Sequence, residues 1–422
     1  MRHRGTIERL TAIFRRELGI FSRRPIFLFC MIVMPVVCVV FFTSLMRAGL
    51  PTGLPMGLVD EDRTHITRIL ARTMEAFEAS DFADQYDSFS EARKAVQRGE
   101  IYGFFYIPKG TTEKAMASKQ PCVSFYTNEA YFVPGTLLMK DMMTASEILS
   151  LALTRETLYA KGYDERAAMA VIRPIVVEAH PLNNPTLDYS VYLSNIVLPG
   201  ILILLIMLST TYTIGLEWKQ RTQRKWFRMA DYSVTTALVG KLLPQTVLYV
   251  LMILFYDVYL YRFMGFPCNC GIAAMMGIGI LTVLASQAFG VFLFGVFSGQ
   301  MRLAMCLSSL WGILSFSLAG FTYPTTAMAP VLGRLAALFP LRHYYLLYVD
   351  QALNGYPIAC AWPSVVALLL FIMLPSRRTA RRSPRPKSCC AAARSSASSA
   401  FPRASRRTSG AATRPSPAYT AI

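Results

Sequence analysis

The chain has 422 residues, 54% of them hydrophobic and only 16% charged, with a formal net charge of +18. A soluble protein carries roughly a quarter charged residues, so this shortage argues against an ordinary soluble domain and for a bilayer. The positive charge does not argue for nucleic-acid binding: ten Arg and one Lys fall in 375–422 with no acid among them, and segment 47–190 has 15 Lys and Arg against 19 Asp and Glu. The remaining basic residues flank apolar runs, the pattern that sets membrane orientation rather than the one that grips phosphate.

Residues 1–25 predict an amphipathic basic helix. Ile7, Leu10, Phe14, Leu18 and Phe21 recur at three- and four-residue steps, with Arg9, Arg15 and Arg16 on other faces. Such a helix lies in the membrane interface, either as an anchor or as a docking surface for a cytoplasmic partner. Residues 26–46 then run 21 positions without a charge, about 31 Å as a helix, which matches the hydrocarbon core. Pro35 inside this span is tolerable where neighbouring helices satisfy the freed carbonyl.

Segment 47–190 reads as an α/β domain. Leu54–Val59 predicts a strand ending at Asp60-Glu61-Asp62, and 64–79 a helix with Ile66, Ile69, Leu70, Met74 and Phe77 on one face. Ser88 with Glu91 forms a capping box, and Gly99 closes the helix it opens. Ile101–Ile107 and Cys122–Tyr126 predict two further strands, and Gly135–Ala160 a long helix.

Five more spans are expected within 191–374: 191–215, 242–261, 271–297, 303–323 and 358–374, the last at the short end of the usual range. Basic residues precede the first span, stand between the second and third (Lys219, Arg221, Arg224, Lys225 and Arg228), between the fourth and fifth (Arg302) and after the sixth (Arg377 and Arg378). These positions alternate correctly for six spans with both termini in the cytoplasm and 47–190 outside. The expected fold class is thus an α-helical integral membrane protein: six transmembrane helices with an α/β extracytoplasmic domain between the first and second.

Two stretches carry a family resemblance. One is Glu217-Trp-Lys-Gln-Arg-Thr222, followed by Ser233 and by Gly240-Lys241-Leu-Leu-Pro244; the other runs from Gly320-Phe-Thr-Tyr-Pro324 through Met328, Pro330, Pro340 and Tyr344. With the order of helix, span, external lobe and five spans, the chain over about residues 5–374 resembles the permeases of ABC-2 type transporters, in the branch with a large external domain. Family members usually show Gly-Thr where this chain has Arg221-Thr222. The resemblance implies an exporter of two permease chains, identical or paralogous, and two nucleotide-binding ATPase chains, in the inner membrane of a bacterial cell. Membrane lipid and a periplasmic adaptor are the further partners expected. It also places the loop after the second span against the ATPase, with Glu217, Arg221, Arg224 and Lys225 as contact candidates, and the second stretch in a re-entrant or short-helix region on the outer side.

The chain itself holds no G-x-x-x-x-G-K-[ST] phosphate loop, because Thr235 stands where the first Gly before Gly240-Lys241 would be. No cofactor is expected to bind directly, and ATP acts through the partner subunit. Asp257, an acid within the third span, is a candidate intramembrane polar site for substrate or proton, with interface solvation as the plainer alternative. Cys268 and Cys270 lack further ligands nearby for a metal, and the four His, at 3, 65, 180 and 343, show no ligand spacing. No nucleophile and base stand together, so no catalytic site is expected.

The basic tail 375–422, rich in Arg, Ser, Ala and Pro, predicts disorder; a reading frame shifted near Leu374–Ser376 would account for it, and a basic tail that grips anionic lipid is the alternative. Two other function classes compete with an exporter permease. A secondary transporter requires inverted repeats, which are not seen. A membrane-anchored sensor using the external domain requires a larger cytoplasmic output domain than the sequence supplies. The substrate is not identified, though spans rich in Gly and Met with few charges favour an amphiphilic or apolar cargo.

Overall fold

A computed structural model describes residues 5–379, apart from 48, 76, 78–79, 118, 120, 173–182, 185–187 and 298–299. Helix α1 (Thr6–Arg23) opens the chain with Glu8 in its first turn and Arg23 in its last, the charge order that suits the helix dipole. Its buried face is Ile13, Glu17 and Phe21, so of the expected apolar stripe only Phe21 packs fully into the protein. Leu10 and Phe14 are half-buried, while Ile7 and Leu18 are exposed. Hydrophobic periodicity overlooked this face because an acid stands in its centre.

The first span is continuous from Pro25 to Leu45, built from α2 (Pro25–Leu28), a π-helical turn over Phe29–Val33 and α3 (Met34–Leu45). Pro35 has no N–H to give to the preceding turn, and its ring would press on the carbonyl four residues back; the widened turn lies just there. The Pro35 carbonyl accepts from the Tyr256 hydroxyl at 3.0 Å.

Between this span and the next comes a lobe around a four-stranded sheet, ordered β2–β1–β3–β4. Strand β1 (Leu54–Asp60) pairs in parallel with β2 (Ser80–Gln85) and β3 (Gly103–Ile107), and β3 pairs antiparallel with β4 (Ser124–Thr127). Helices α4 (His65–Glu75), α5 (Phe89–Arg98) and α6 (Thr111–Met116) connect the strands. The cap of α5 is as expected: the Ser88 hydroxyl accepts from the Glu91 N–H and Gly99 ends the helix at φ +76°. On α4 the buried positions include Thr67, Ala71 and Met74, whereas Ile69 is exposed; the side chains of Ile66 and Leu70 lie outside the described residues. The long α7 (Phe132–Ala160) covers one sheet face, with Leu138, Met142 and Ala145 in one core with Met56, Leu58, Phe105 and Ile107. Helix α8 (Glu165–Ile172) packs back on α7.

The remaining helices form the bundle: α9 (Tyr189–Lys219), α10 (Gln223–Met229), α11 (Val234–Val258, continued by a π turn to Phe263), α12 (Ile272–Val296), α13 (Met301–Leu318), α14 (Pro330–Ala336), α15 (Pro340–Tyr348) and α16 (Trp362–Thr379). Among the described residues five helices are long and apolar enough to cross a membrane: Pro25–Leu45, α9, Val234–Phe263, α12 and α13. The sixth expected span is a shorter apolar helix, Trp362–Pro375, because residues 358–361 turn rather than extend it. From residue 380 the basic tail lies outside the described residues.

Helix α12 packs against α9, α11 and α16, and α13 against α9. Two neighbours on α11 tie it to α9 and α12: the Gln245 amide donates to Ser209 Oγ and Thr210 Oγ1 of α9 at 2.8 and 2.9 Å, and Thr246 donates to Gln287 Oε1 of α12 at 2.6 Å. Such hydrogen bonds hold helices together where lipid supplies no hydrophobic drive between them. The second family-like stretch folds into α14 and α15, and Pro340, Leu341, Tyr344 and Leu347 are buried against the bundle. Arg342 reaches back to the Ala319 carbonyl at 3.1 Å and to Thr325 Oγ1 at 3.2 Å.

Candidate functional site

The end of the bundle away from the lobe gathers α1, the last turn of α9, α10 and the start of α11. Helix α9 ends at Lys219, Arg221 takes a left-handed φ of +56°, and α10 begins at Gln223. After α10, Asp231 and Tyr232 are also left-handed, and the Ser233 hydroxyl accepts from the Thr236 N–H to start α11. Two tight turns therefore hold α10 between two long helices. Its basic residues Arg224 and Lys225 are exposed, as is Arg221, whereas Trp226 is 1% exposed and donates from Nε1 to the Ala237 carbonyl at 3.2 Å.

Glu217 behaves differently from the other three contact candidates. It is buried, so in this conformation it is an internal group and not a surface one. One oxygen, Oε1, accepts from Arg16 Nη2 at 2.6 Å and from Lys241 Nζ at 2.9 Å; the other, Oε2, accepts from the Thr222 hydroxyl. Lys241 also donates to Glu17 Oε2 at 2.9 Å, and its ammonium lies 5.3 Å from the centre of the Trp226 ring, within cation–π range. Two cations and two anions from α1, α9 and α11 thus meet in one buried cluster. Burial lifts the Glu17 carboxyl above the ordinary carboxylate range, and Lys241 and Arg16 act against that lift.

Gly240 lets α1 come this close. A Cβ there would stand 3.1 Å from Ile13 Cβ, so any side chain would press on the helix. At the edge of the junction Arg9 of α1 pairs with Asp231 at 2.9 Å. Glu17 was not picked out in the sequence, and Lys241 only as part of a family-like stretch, not as a site residue. Their signals were a lone acid between Ile13 and Phe21 on a helix face, and a lone Lys ahead of a run without charge to Tyr256.

Asp257 lies at the far, lobe-side end of α11 and is not brought to this junction. It is 2% exposed, its Oδ2 has no hydrogen-bond partner among the described residues, and a Cβ at Gly279 would stand 3.2 Å from that oxygen. Among the described residues no group of three or more His, Cys, Asp or Glu could hold a metal ion. Cys268 and Cys270 are free thiols.

Residues 25–375 match the model of a family described as ABC-2 family transporter protein. No curated protein matches the chain.

Proposed function

The chain belongs to the ABC-2 transporter family as a multi-pass membrane protein, and from that premise we propose that it is the permease of an exporter driven by a separate ATPase subunit. The observation that carries this reading is the junction at the basic end. Helix α10 presents Arg224 and Lys225 outward while Trp226 roots it against Lys241. A surface helix pinned between two spans is fitted to receive a push from a cytoplasmic subunit and pass it into the bundle. ATP would act only through that subunit, since the sequence has no phosphate loop of its own.

On this reading the chain sits in the inner membrane of a bacterial cell with both ends in the cytoplasm, 47–190 outside and α16 as a sixth, short span. A second permease chain completes the pathway. The seam of Ser209, Thr210, Gln245 and Gln287 and the unpartnered Asp257 supply the few polar stations of an otherwise apolar bundle, which suits an amphiphilic cargo.

The test is a pull-down of the tagged full chain from detergent-solubilised native membranes, with mass spectrometry of what accompanies it. A nucleotide-binding protein is expected with the wild type and at least tenfold less with the R221E/R224E/K225E variant inserted at equal level. A well-folded wild type that brings down no ATPase overturns the reading.

A further inference from the structure

The buried cluster at the basic end has more charge than stability explains and one bond fewer than it could make. Arg16, Glu17, Glu217 and Lys241 have side chains 22%, 1%, 4% and 2% exposed. Ion pairs this deep recover little beyond the cost of taking the charges out of water, and well-packed apolar residues commonly do as well or better. A cluster kept in such a place is better explained by register or switching than by strength.

Its bonding is also incomplete in a specific way. Glu217 and Lys241 have their hydrogen-bonding partners. The atoms left over are Arg16 Nη1 and Glu17 Oε1, both buried without a hydrogen bond, and they stand 3.5 Å apart. A small shift of the guanidinium would close that pair and release Glu217 Oε1 from Arg16, leaving Glu217 held by Lys241 and Thr222. The two arrangements have equal charge and differ by one exchanged bond, as a discrete two-position element requires.

We propose that Arg16, Glu17, Glu217 and Lys241 form a two-position joint, in which Arg16 passes from Glu217 to Glu17 as α1 and α10 move, so that the ends of α9 and α11 shift together. The joint rests on the reading of the chain as an ATPase-driven permease. Its inputs are both on the surface side: Arg9 with Asp231 ties α1 to the turn after α10, and Trp226 of α10 lies against Lys241. Its outputs are the last turn of α9, through Glu217, and the first turns of α11, through Lys241. These residues act through other groups and are positioning residues; none touches the cargo.

The experiment uses the full chain with whatever ATPase subunit co-purifies, in nanodiscs, and reads hydrogen exchange with and without ATP and Mg²⁺. In the wild type, nucleotide is expected to change protection in both α1 and the 214–219 end of α9. An apolar replacement of the cluster, R16M/E17L/E217L/K241M, is expected to insert, to keep the ATPase subunit bound and to hydrolyse ATP. Its nucleotide-driven change in 214–219 should fall at least tenfold. If that change stays within twofold of the wild type while the ATPase is bound, the joint is overturned and the permease reading stands. If no ATPase accompanies the wild type, the permease reading fails and the joint fails with it. Should the quadruple variant not insert, E17Q decides: Gln keeps an oxygen for Lys241 but removes the charge that would draw Arg16. A tenfold loss of the 214–219 response is then expected, and retention within twofold overturns the joint.

Discussion

Lys241 shows how one residue can be costly to remove and yet add little net stability. Its ammonium stands 2.9 Å from a carboxylate oxygen of Glu17 and of Glu217. In K241M both anions remain buried, balanced only by Arg16, and removing one partner of a buried pair costs about 3–5 kcal/mol. A loss of that size is expected in denaturant unfolding of the full chain in mixed micelles. The quadruple apolar variant, which leaves no orphan charge, should be close to wild type. In the lobe, Asp62 is a different case, a solvent-side carboxylate. It accepts from the Gly110 and Thr112 N–H groups at 2.7 and 2.9 Å and so fastens the start of α6 to the end of β1. The hydrogen bond with Thr112, together with these backbone donors, holds its carboxyl below the usual range. A depressed native pKa contributes stability that is present above the unfolded value of about 3.9 and is lost as pH falls through the native one. D62N is therefore expected to lower lobe stability by about 1 kcal/mol near neutrality, the scale of a lost cap. The deficit should shrink in a thermal-unfolding series taken down through that acidic window. Of these residues only the exposed Arg221, Arg224 and Lys225 were legible in sequence as a basic turn. Glu217 stands in the same short stretch, but its burial depends on α1, some two hundred positions earlier, and no local pattern encodes that.

Among the elements, those with a strong local signal were readable and those formed by long-range pairing were not. The first span, α5 with its Ser88 cap, and β3 followed from apolar runs and turn chemistry. Strand β2, Ser80-Asp-Phe-Ala-Asp-Gln, has no apolar alternation because it is an edge strand held by its pairing with β1. Helix α1 was readable as a helix but not by its buried face, which is chosen by the groove it meets on α11. That groove depends on Gly240: an added Cβ would lie 3.1, 3.2 and 3.4 Å from three atoms of Ile13. In G240V, α1 is expected to lift from α11 at about 1–3 kcal/mol, the usual cost of overpacking. The measurable sign is faster hydrogen exchange across 6–23 with the 272–296 helix unchanged, whereas equal exchange in both would show that α1 does not depend on this contact. The interface of α9 and α13 has the same character: a Cβ at Gly312 would stand 2.3 Å from Leu204 Cδ1, and one at Gly200 2.5 Å from Phe316 Cε1. Small residues at these two crossings let the helices approach closely, as in membrane helix packing generally.

At the scale of the whole molecule, the charge asymmetry between the two ends carries the proposed orientation. The junction presents Arg221, Arg224, Lys225 and Arg228 outward within a few residues, while segment 47–190 is net acidic. Basic residues close to span ends resist translocation, whereas a folded domain of mixed charge crosses readily, which is why the proposed orientation puts the junction in the cytoplasm and the lobe outside. The chain contains a probe for this. Cys122 is exposed and lies just before β4 of the lobe. In a chain whose other cysteines are replaced by Ser, a membrane-impermeant maleimide is expected to label Cys122 in intact spheroplasts, with the signal lost in C122S. Adding R224C to C122S should restore labelling only after the membrane is opened, because position 224 lies on the exposed face of α10. Labelling of R224C in sealed cells, with Cys122 protected, would invert the molecule. An inverted molecule would put α10 and α1 out of reach of any cytoplasmic ATPase, so this outcome would remove the proposed drive as well as the topology. Labelling at both positions in sealed cells would mean an even number of crossings between 122 and 224, whereas among the described residues α9 is the one helix between them long and apolar enough to cross, and it would place one of the two sites in a leaking or unfolded population. The expected pattern, outside at 122 and inside at 224, requires that α9 crosses once and that its Glu217 end lies on the ATPase side.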